Sequence, residues 1–337
     1  MTGRCLSERA ASGPESLFTD ASCVHAALGT LLLELDPSAD IVTALGSECN
    51  TQAVGGELLP AFTRALPTPL SALRRKGYAV EQLPLDEEGQ TALLGALSQD
   101  GAVVVDVDTF HLPHHWVDYG RLHSLHAVVL RDFDPVGRTV RLTDPVDVTW
   151  FDSRVPWSLL QASVTGTAMG QSWLRVTPAP PGAGQGVDFT HLSLQAAALC
   201  GDLPGQLSGS ALARELKTAL DRFFPSDPGA EPLPSDWISH VQHGLWSYHH
   251  TLRWFAKYLA TLSGEGGFRV DEAASEVERA SQDWLVVRAL LRHSGFPVPE
   301  PAMMRYRSEV ARRLDRITED LSRAGEALAA PGARAQA

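Results

Sequence analysis

The sequence predicts an α+β domain followed by an all-helical domain, and three observations carry that reading. Strand signals cluster between residues 78 and 144, most clearly in the run GAVVVDVDTF, whose consecutive valines mark a strand buried on both faces. Helical patterns precede and separate these strands. Beyond TPAPPGAGQGV, residues 177–187, strand signals stop and only helical periodicity remains. The chain has 337 residues, 44% of them hydrophobic, which is enough for two cores. The expected division is a loose arm at 1–16, an α+β domain at 17–176, a Pro/Gly-rich linker at 177–187 and a helical domain at 188–330.

Taken in order, the apolar run ASCVHAALGTLLLEL (21–35) follows Thr19, Asp20 and Ser22, all candidate N-caps, and predicts a buried helix. A helix over Leu70–Lys76 ends at Gly77, and YAVEQLPL after it is a short strand. A third helix near Glu88–Ser98 leads into the valine strand. LHAVVLRDF and RTVRLTDP then flank Asp134-Pro135-Val136-Gly137, a turn signal with Pro second and Gly fourth. A three-residue loop with left-handed Gly137 would pair Asp134 with Arg138 and place Val128 opposite Asp144. His126 then lies on the same face as Asp144, one diagonal step of roughly 7–8 Å away. A register one residue different would put the two side chains on opposite faces. In the second half, Ser210–Phe224, Trp237–Leu262, Val270–His293 and Ala302–Leu328 read as helices.

Composition narrows the function classes. Lys and Arg total 28 against 40 for Asp and Glu, a formal charge of −12, so the basic footprint of a nucleic-acid-binding protein is missing. Cys5, Cys23, Cys49 and Cys200 form no CxxC or metal-finger spacing, which fits a reducing compartment. The first residues carry no apolar signal core, and no run approaches the roughly 18 apolar residues of a membrane span. The expectation is a cytoplasmic protein with neither membrane nor nucleic acid as partner.

Cys23 has the most informative surroundings of the four cysteines, because it opens a helix, where orphan amides and the helix dipole stabilise a thiolate. A small buried core cysteine is the other reading. His126 begins a strand at the edge of the core. Asp144, ending the next strand before Pro145, can accept the second ring N–H and fix the tautomer. Cysteine on an early helix, histidine on a later strand and a carboxylate on its neighbour is the arrangement of papain-like (cysteine-proteinase-like) folds.

The segments DASCVHAALGTLLLELD and VDVDTFHLPHHWVDYGRLHSLHAVVLRDFDPVGRTVRLTDP carry a more specific signal. They give Cys23; Asp108, Phe110, Leu112, Pro113 and His114; Tyr119; His123 and His126; and Asp144 with Pro145. This series resembles the butirosin biosynthesis protein H family over about residues 17–176. The resemblance implies a papain-like cysteine acyltransferase of antibiotic or other natural-product biosynthesis. An acyl group on the phosphopantetheine of an acyl or peptidyl carrier protein would move to Cys23 and then to a small-molecule amine, by amide formation or cyclisation. No cofactor bound by the chain itself is implied. His126 and Asp144 would complete the triad, and Asp108, His114, Tyr119 and His123 would face substrate. A thioesterase or peptidase-type hydrolase, and a non-catalytic binding module of the same fold, are the alternatives.

The chain departs from the family pattern in DPSADIVTALGSECN after Leu35, which keeps only the ALG portion. No Gln precedes Cys23 to serve as oxyanion donor, so the Cys23 amide with Ser22, Thr19 or Asp20 is expected there. Asp108 can equally hold a loop backbone, and His123 can be a packed loop residue. His111, His114, His115, His123 and His126 fall within sixteen residues, but no Cys or carboxylate completes a familiar ligand set, and no metal is expected. Trp246, Tyr248, His249, His250, Trp254 and Phe255 fall at helical spacing, as a core or as the wall of an acyl tunnel. Arg74, Arg75 and Lys76, or Arg305, Arg307, Arg312, Arg313 and Arg316, are candidate carrier-docking patches or simply solvated helix faces.

Overall fold

The computed structural model describes residues 18, 21–49, 53–54, 61–62, 67–99, 101–146, 150–165, 171–178, 188–203, 207–223, 235–263, 269–294 and 300–329. The expected arm at 1–16, Thr19, Asp20, residues 179–187 of the linker and the chain end beyond 329 lie outside them. The protein is mixed α+β. It divides into two compact units, Met1–Ile41 with Leu73–Gly184, and Val42–Ala72 with Gln185–Ala337.

In chain order the helices are α1 (Cys23–Leu35), α2 (Ile41–Gly46), α3 (Pro67–Arg75), α4 (Glu87–Ser98), α5 (Trp157–Thr165), α6 (Phe189–Cys200), α7 (Gly209–Phe223), α8 (Ser235–Thr261), α9 (Val270–Ser294) and α10 (Glu300–Ala329). The strands are the two-residue β1 (Ala53–Val54) and β2 (Ala61–Phe62), then β3 (Ala79–Pro84), β4 (Val103–Asp108), β5 (Leu125–Asp134), β6 (Thr139–Asp144), β7 (Phe151–Pro156) and β8 (Ser172–Thr177). Among the described residues, no helix is long and apolar enough to cross a membrane.

The first unit is built on a six-stranded antiparallel sheet in the order β3-β8-β4-β5-β6-β7. All six residues of β4 are buried, as the valine run predicts. Val103, Val105 and Val107 pack with Val128, Leu130, Val140 and Leu142 of β5 and β6 against Leu93 and Leu97 of α4 and Leu160 and Val164 of α5. Each such side chain, taken fully out of water, stabilises the unit by roughly 1.5–3 kcal/mol.

The β5/β6 register has a direct bearing on the site. Val129 pairs with Thr143, Leu130 with Leu142 and Arg131 with Arg141, so Val128 falls opposite Asp144 as expected. The route to that register differs. The turn holds four residues, with Asp134 paired to Thr139, and Arg138 rather than Gly137 takes the left-handed conformation, at φ 48°. The turn alone would shift the pairing by one residue. A bulge between Arg131 and Asp134, with Asp132 at φ 53°, absorbs the extra residue and restores it. Gly, Asn and Asp take that φ with the least strain. Asp132→Gly is therefore expected to be neutral or stabilising, and Asp132→Val to cost about 1–2 kcal/mol, read as the difference in urea midpoints of the two variants.

The second unit is a helical bundle. Tyr248, Phe255, Trp284 and Leu314 are buried in one apolar cluster drawn from α6 to α10. Tyr248 and Phe255 thus belong to the bundle's own interior, and Trp254 is buried. The second unit also holds Val42–Ala72, which the expected boundary at 17–176 had assigned to the α+β domain. Its attachment is specific. The Cys49 amide donates to Gln195 Oε1 at 2.8 Å, and His191 Nε2 lies 2.9 Å from the Ser47 carbonyl. These partners, on α6, are more than 140 residues away in sequence, so no local pattern announces them.

Candidate active site

Cys23 is the first residue of α1, and the start of that helix is fixed by Ser22. Ser22 has extended backbone (φ −68°, ψ 156°), and its Oγ accepts from the His25 amide at 3.3 Å. The same Oγ is 2.7 Å from His25 Nδ1. The Ser22 hydroxyl is thus engaged in the cap. Ala26 makes the first backbone bond of the helix, to the Ser22 carbonyl at 2.9 Å. By helix geometry, the Cys23 amide stands among first-turn N–H groups that have no intrahelical acceptor, which keeps it available as an oxyanion donor.

His126 is the second residue of β5, and its side chain is hydrogen-bonded to that of Cys23. His126 Nε2 lies 3.0 Å from Asp144 Oδ1. Asp144, the last residue of β6, is fully buried. The three residues named from sequence order therefore form a continuous line of sulfur, imidazole and carboxylate. With Nε2 directed to the acid, Nδ1 is the ring nitrogen left to serve the sulfur.

The electrostatics follow from this line. Burial alone would push His126 down. The negative charge of a Cys23 thiolate beside it, with hydrogen bonds from the ring to Asp144 and Cys23, outweighs burial and raises its pKa from 6.5 to about 10. Asp144 shows the mirror case. Burial would raise its carboxyl, but hydrogen bonds from His114, His115 and His126 hold it well below the usual carboxylate range. A neutral thiol–imidazole pair and a thiolate–imidazolium pair differ by one proton moved across this hydrogen bond.

The other expected residues separate into two groups. His114, expected to face substrate, lies 3.2 Å through Nε2 from Asp144 Oδ2 and stacks on Phe151 with ring centroids 4.4 Å apart. Asp108 pairs with Leu125 while Val107 pairs with His126, so the pleat places Asp108 on the alternate face from His126. The buried Asp108 accepts from the Phe110 amide at 3.1 Å and lies 2.6 Å from His123 Nδ1, while its own carbonyl accepts from Ser163 Oγ at 2.8 Å. His123 stacks on Phe110 at 4.3 Å. Asp108 and His123 therefore form a second acid–imidazole couple that holds the loop after β4. The Tyr119 ring is exposed, and its amide donates to the His115 carbonyl at 2.8 Å.

Sequence reasoning passed over His115. It is buried and lies 2.9 Å through Nε2 from Asp144 Oδ2. The only signal was the His-His pair following Leu-Pro. His114, His115 and Asp144 also offer three ligand-type atoms within 4.8 Å of one another, the one such trio among the described residues. A divalent cation could be accommodated there if both rings presented lone pairs instead of N–H groups.

The second candidate docking patch is laced with acids. Arg307 pairs with Asp221, Arg312 and Arg313 with Glu309, and Arg316 with Asp283. This is the pattern of a salt-bridged helix face. In the first patch, Arg74 donates to the Val80 carbonyl at 3.2 Å. No protein-family model matches the chain, and no curated protein matches it significantly.

Proposed function

We propose that the α+β unit is a papain-like catalytic domain of the butirosin biosynthesis protein H kind, and that the chain is a cysteine-dependent acyltransferase. The observation that carries this reading is the line from Cys23 through His126 to the buried Asp144, with His126 Nε2 3.0 Å from the acid. The Cys23 thiolate attacks the carbonyl carbon of a carrier-bound thioester, and the oxyanion meets the first-turn amide of α1. The C–S bond to phosphopantetheine breaks, and the departing sulfur takes the proton from the His126 imidazolium. An amine then attacks the acyl-Cys23 carbonyl and gives its proton to the now neutral His126. Collapse expels the Cys23 thiolate and leaves an amide. The motif resemblance supports acyl transfer to an amine in preference to hydrolysis, since water could enter the same line.

The test is intact-mass analysis after mixing the protein with acyl-pantetheine or acyl-carrier thioesters. An adduct on Cys23 that is discharged as an amide by added amines is the expected result. Discharge to free acid at the same rate with and without amine assigns a hydrolase. The absence of any adduct across a panel of acyl groups overturns the proposal.

A further inference from the structure

The Asp144 carboxylate is met by more donors than an acid that merely orients one histidine requires. Oδ1 faces His126 Nε2 at 3.0 Å and the Val146 amide at 3.3 Å, and Oδ2 faces His115 Nε2 at 2.9 Å and His114 Nε2 at 3.2 Å. A carboxylate presents about four lone-pair sites, and these contacts engage both of its oxygens and fix its plane. We propose that His115 is a positioning residue of the site. Its ring N–H, reaching Oδ2, locks the Asp144 carboxylate so that Oδ1 faces His126, and through His126 it sets the aim of the nitrogen that serves Cys23. The inference deepens the proposed function and rests on it only in treating Cys23 as the reactive group.

Three features single out His115 rather than His114. His115 is the more deeply placed, and its ring meets the His126 ring edge-on, with centroids 4.3 Å apart at 69°. Any displacement of one ring is therefore felt by the other. Its backbone is also pinned. The amide donates to the Leu112 carbonyl at 3.0 Å, and its own carbonyl accepts from the Asp118 and Tyr119 amides at 2.9 and 2.8 Å. Leu112 is itself fully buried. His114, by contrast, leans on Phe151, the residue opposite Asp144 in the β6/β7 ladder.

The proton inventory agrees with a donor role. Burial lowers the His115 pKa below its ordinary value, against the opposing pull of the Asp144 hydrogen bond. A neutral ring carries a single N–H. Placed on Nε2, that N–H binds Oδ2 without bringing a second cation beside the His126 imidazolium. Without it, the carboxylate can turn about its Cβ–Cγ bond, and misalignment of a catalytic group by about 1 Å can cost on the order of 10²-fold.

The experiment compares the full-length protein with His115→Phe, His115→Asn and His115→Gln. Gln carries an N–H about as far out as Nε2, whereas the shorter Asn stops at the reach of Nδ1 and keeps a polar side chain if Phe does not fold. The measurements are the pH profile of Cys23 alkylation by iodoacetamide, the ¹⁵N titration of the His126 ring, and the melting temperature. Phe and Asn are expected to slow alkylation at pH 7 by roughly tenfold or more and to move the His126 titration downward, with Gln restoring both to within about threefold. A lower melting temperature with an unchanged pH profile and His126 titration assigns His115 a purely structural role and overturns the proposal. Stoichiometric divalent metal in the purified protein, whose removal by chelator changes alkylation, also overturns it, because the two rings would then be ligands and not donors. None of these readouts uses an acyl donor, so failure to find an acyl adduct defeats the proposed function and leaves this inference standing.

Discussion

Replacing Cys23 with alanine is expected to abolish the proposed carrier-to-amine transfer, a loss of at least ~10⁴-fold, since it removes the sulfur hydrogen-bonded to His126 on which the covalent intermediate would form. The fold should tolerate the change. Cys23 is half-buried at the first position of α1, and the cap at Ser22 that starts the helix is untouched. The same variant has a second consequence that a structural cysteine would not show. Burial is the largest influence on His126 and acts downward, while the Cys23 charge is the leading influence upward. Removing the sulfur therefore lets His126 fall from about 10, and ¹⁵N NMR of the imidazole should show it titrating well below its wild-type position. Transfer that survives in Cys23→Ala, or a His126 titration that does not move, would remove the nucleophile from the mechanism.

The core of the site was legible in the sequence because its elements announce themselves locally. A helix-opening cysteine, a valine-rich strand starting at His126 and a strand ending in Asp144-Pro145 each have a pattern of their own. The register joining the last two was correct in its outcome but not in its cause. Turn chemistry pointed to Gly137, yet the structure uses a longer turn and a compensating bulge at Asp132, and an Asp in left-handed conformation leaves only a weak mark in a strand-like run. Strand β8 was missed although it lies between β3 and β4, because its partners are far away in the chain. Edge strand β7 has two exposed polar positions, Ser153 and Arg154, and ends in Pro156, so its apolar alternation is faint. Helix α6 had readable signals that were passed over. Asp188 caps it by accepting from the His191 amide, and Gly201 closes it at φ 79°. His115 illustrates the real limit. Five clustered histidines cannot be sorted by spacing, since which ring reaches Asp144 depends on the path of the loop between β4 and β5 and not on a period of two or 3.6 residues.

Asp144→Asn should be the most damaging change outside the nucleophile, with transfer reduced by about 10²–10⁴-fold. The reason lies in the number of donors. An amide supplies one oxygen and one NH₂ group, so whichever way it turns, its N–H groups confront ring nitrogens that donate to a carboxylate in the wild type. Turned with its oxygen to His126, the amide opposes its NH₂ to His114 and His115, and the reverse orientation opposes it to His126. At least one buried contact becomes donor against donor. Removing one partner of a buried charge pair costs on the order of 3–5 kcal/mol, so lower stability should accompany the lost activity. The pH dependence separates the two effects. The wild-type His126 pKa is raised from 6.5 to about 10, so the imidazolium's contribution to stability is fully present below 6.5 and lost as pH rises through about 10, and its ability to protonate the leaving thiol is lost over that same upper limb. Without the Asp144 charge and hydrogen bond, that upper limb should move to lower pH in acyl-enzyme formation. A variant that is merely less stable would keep the limb at its wild-type position when assayed well below its melting temperature. Such a result would assign Asp144 to the scaffold and reduce the catalytic line to Cys23 and His126.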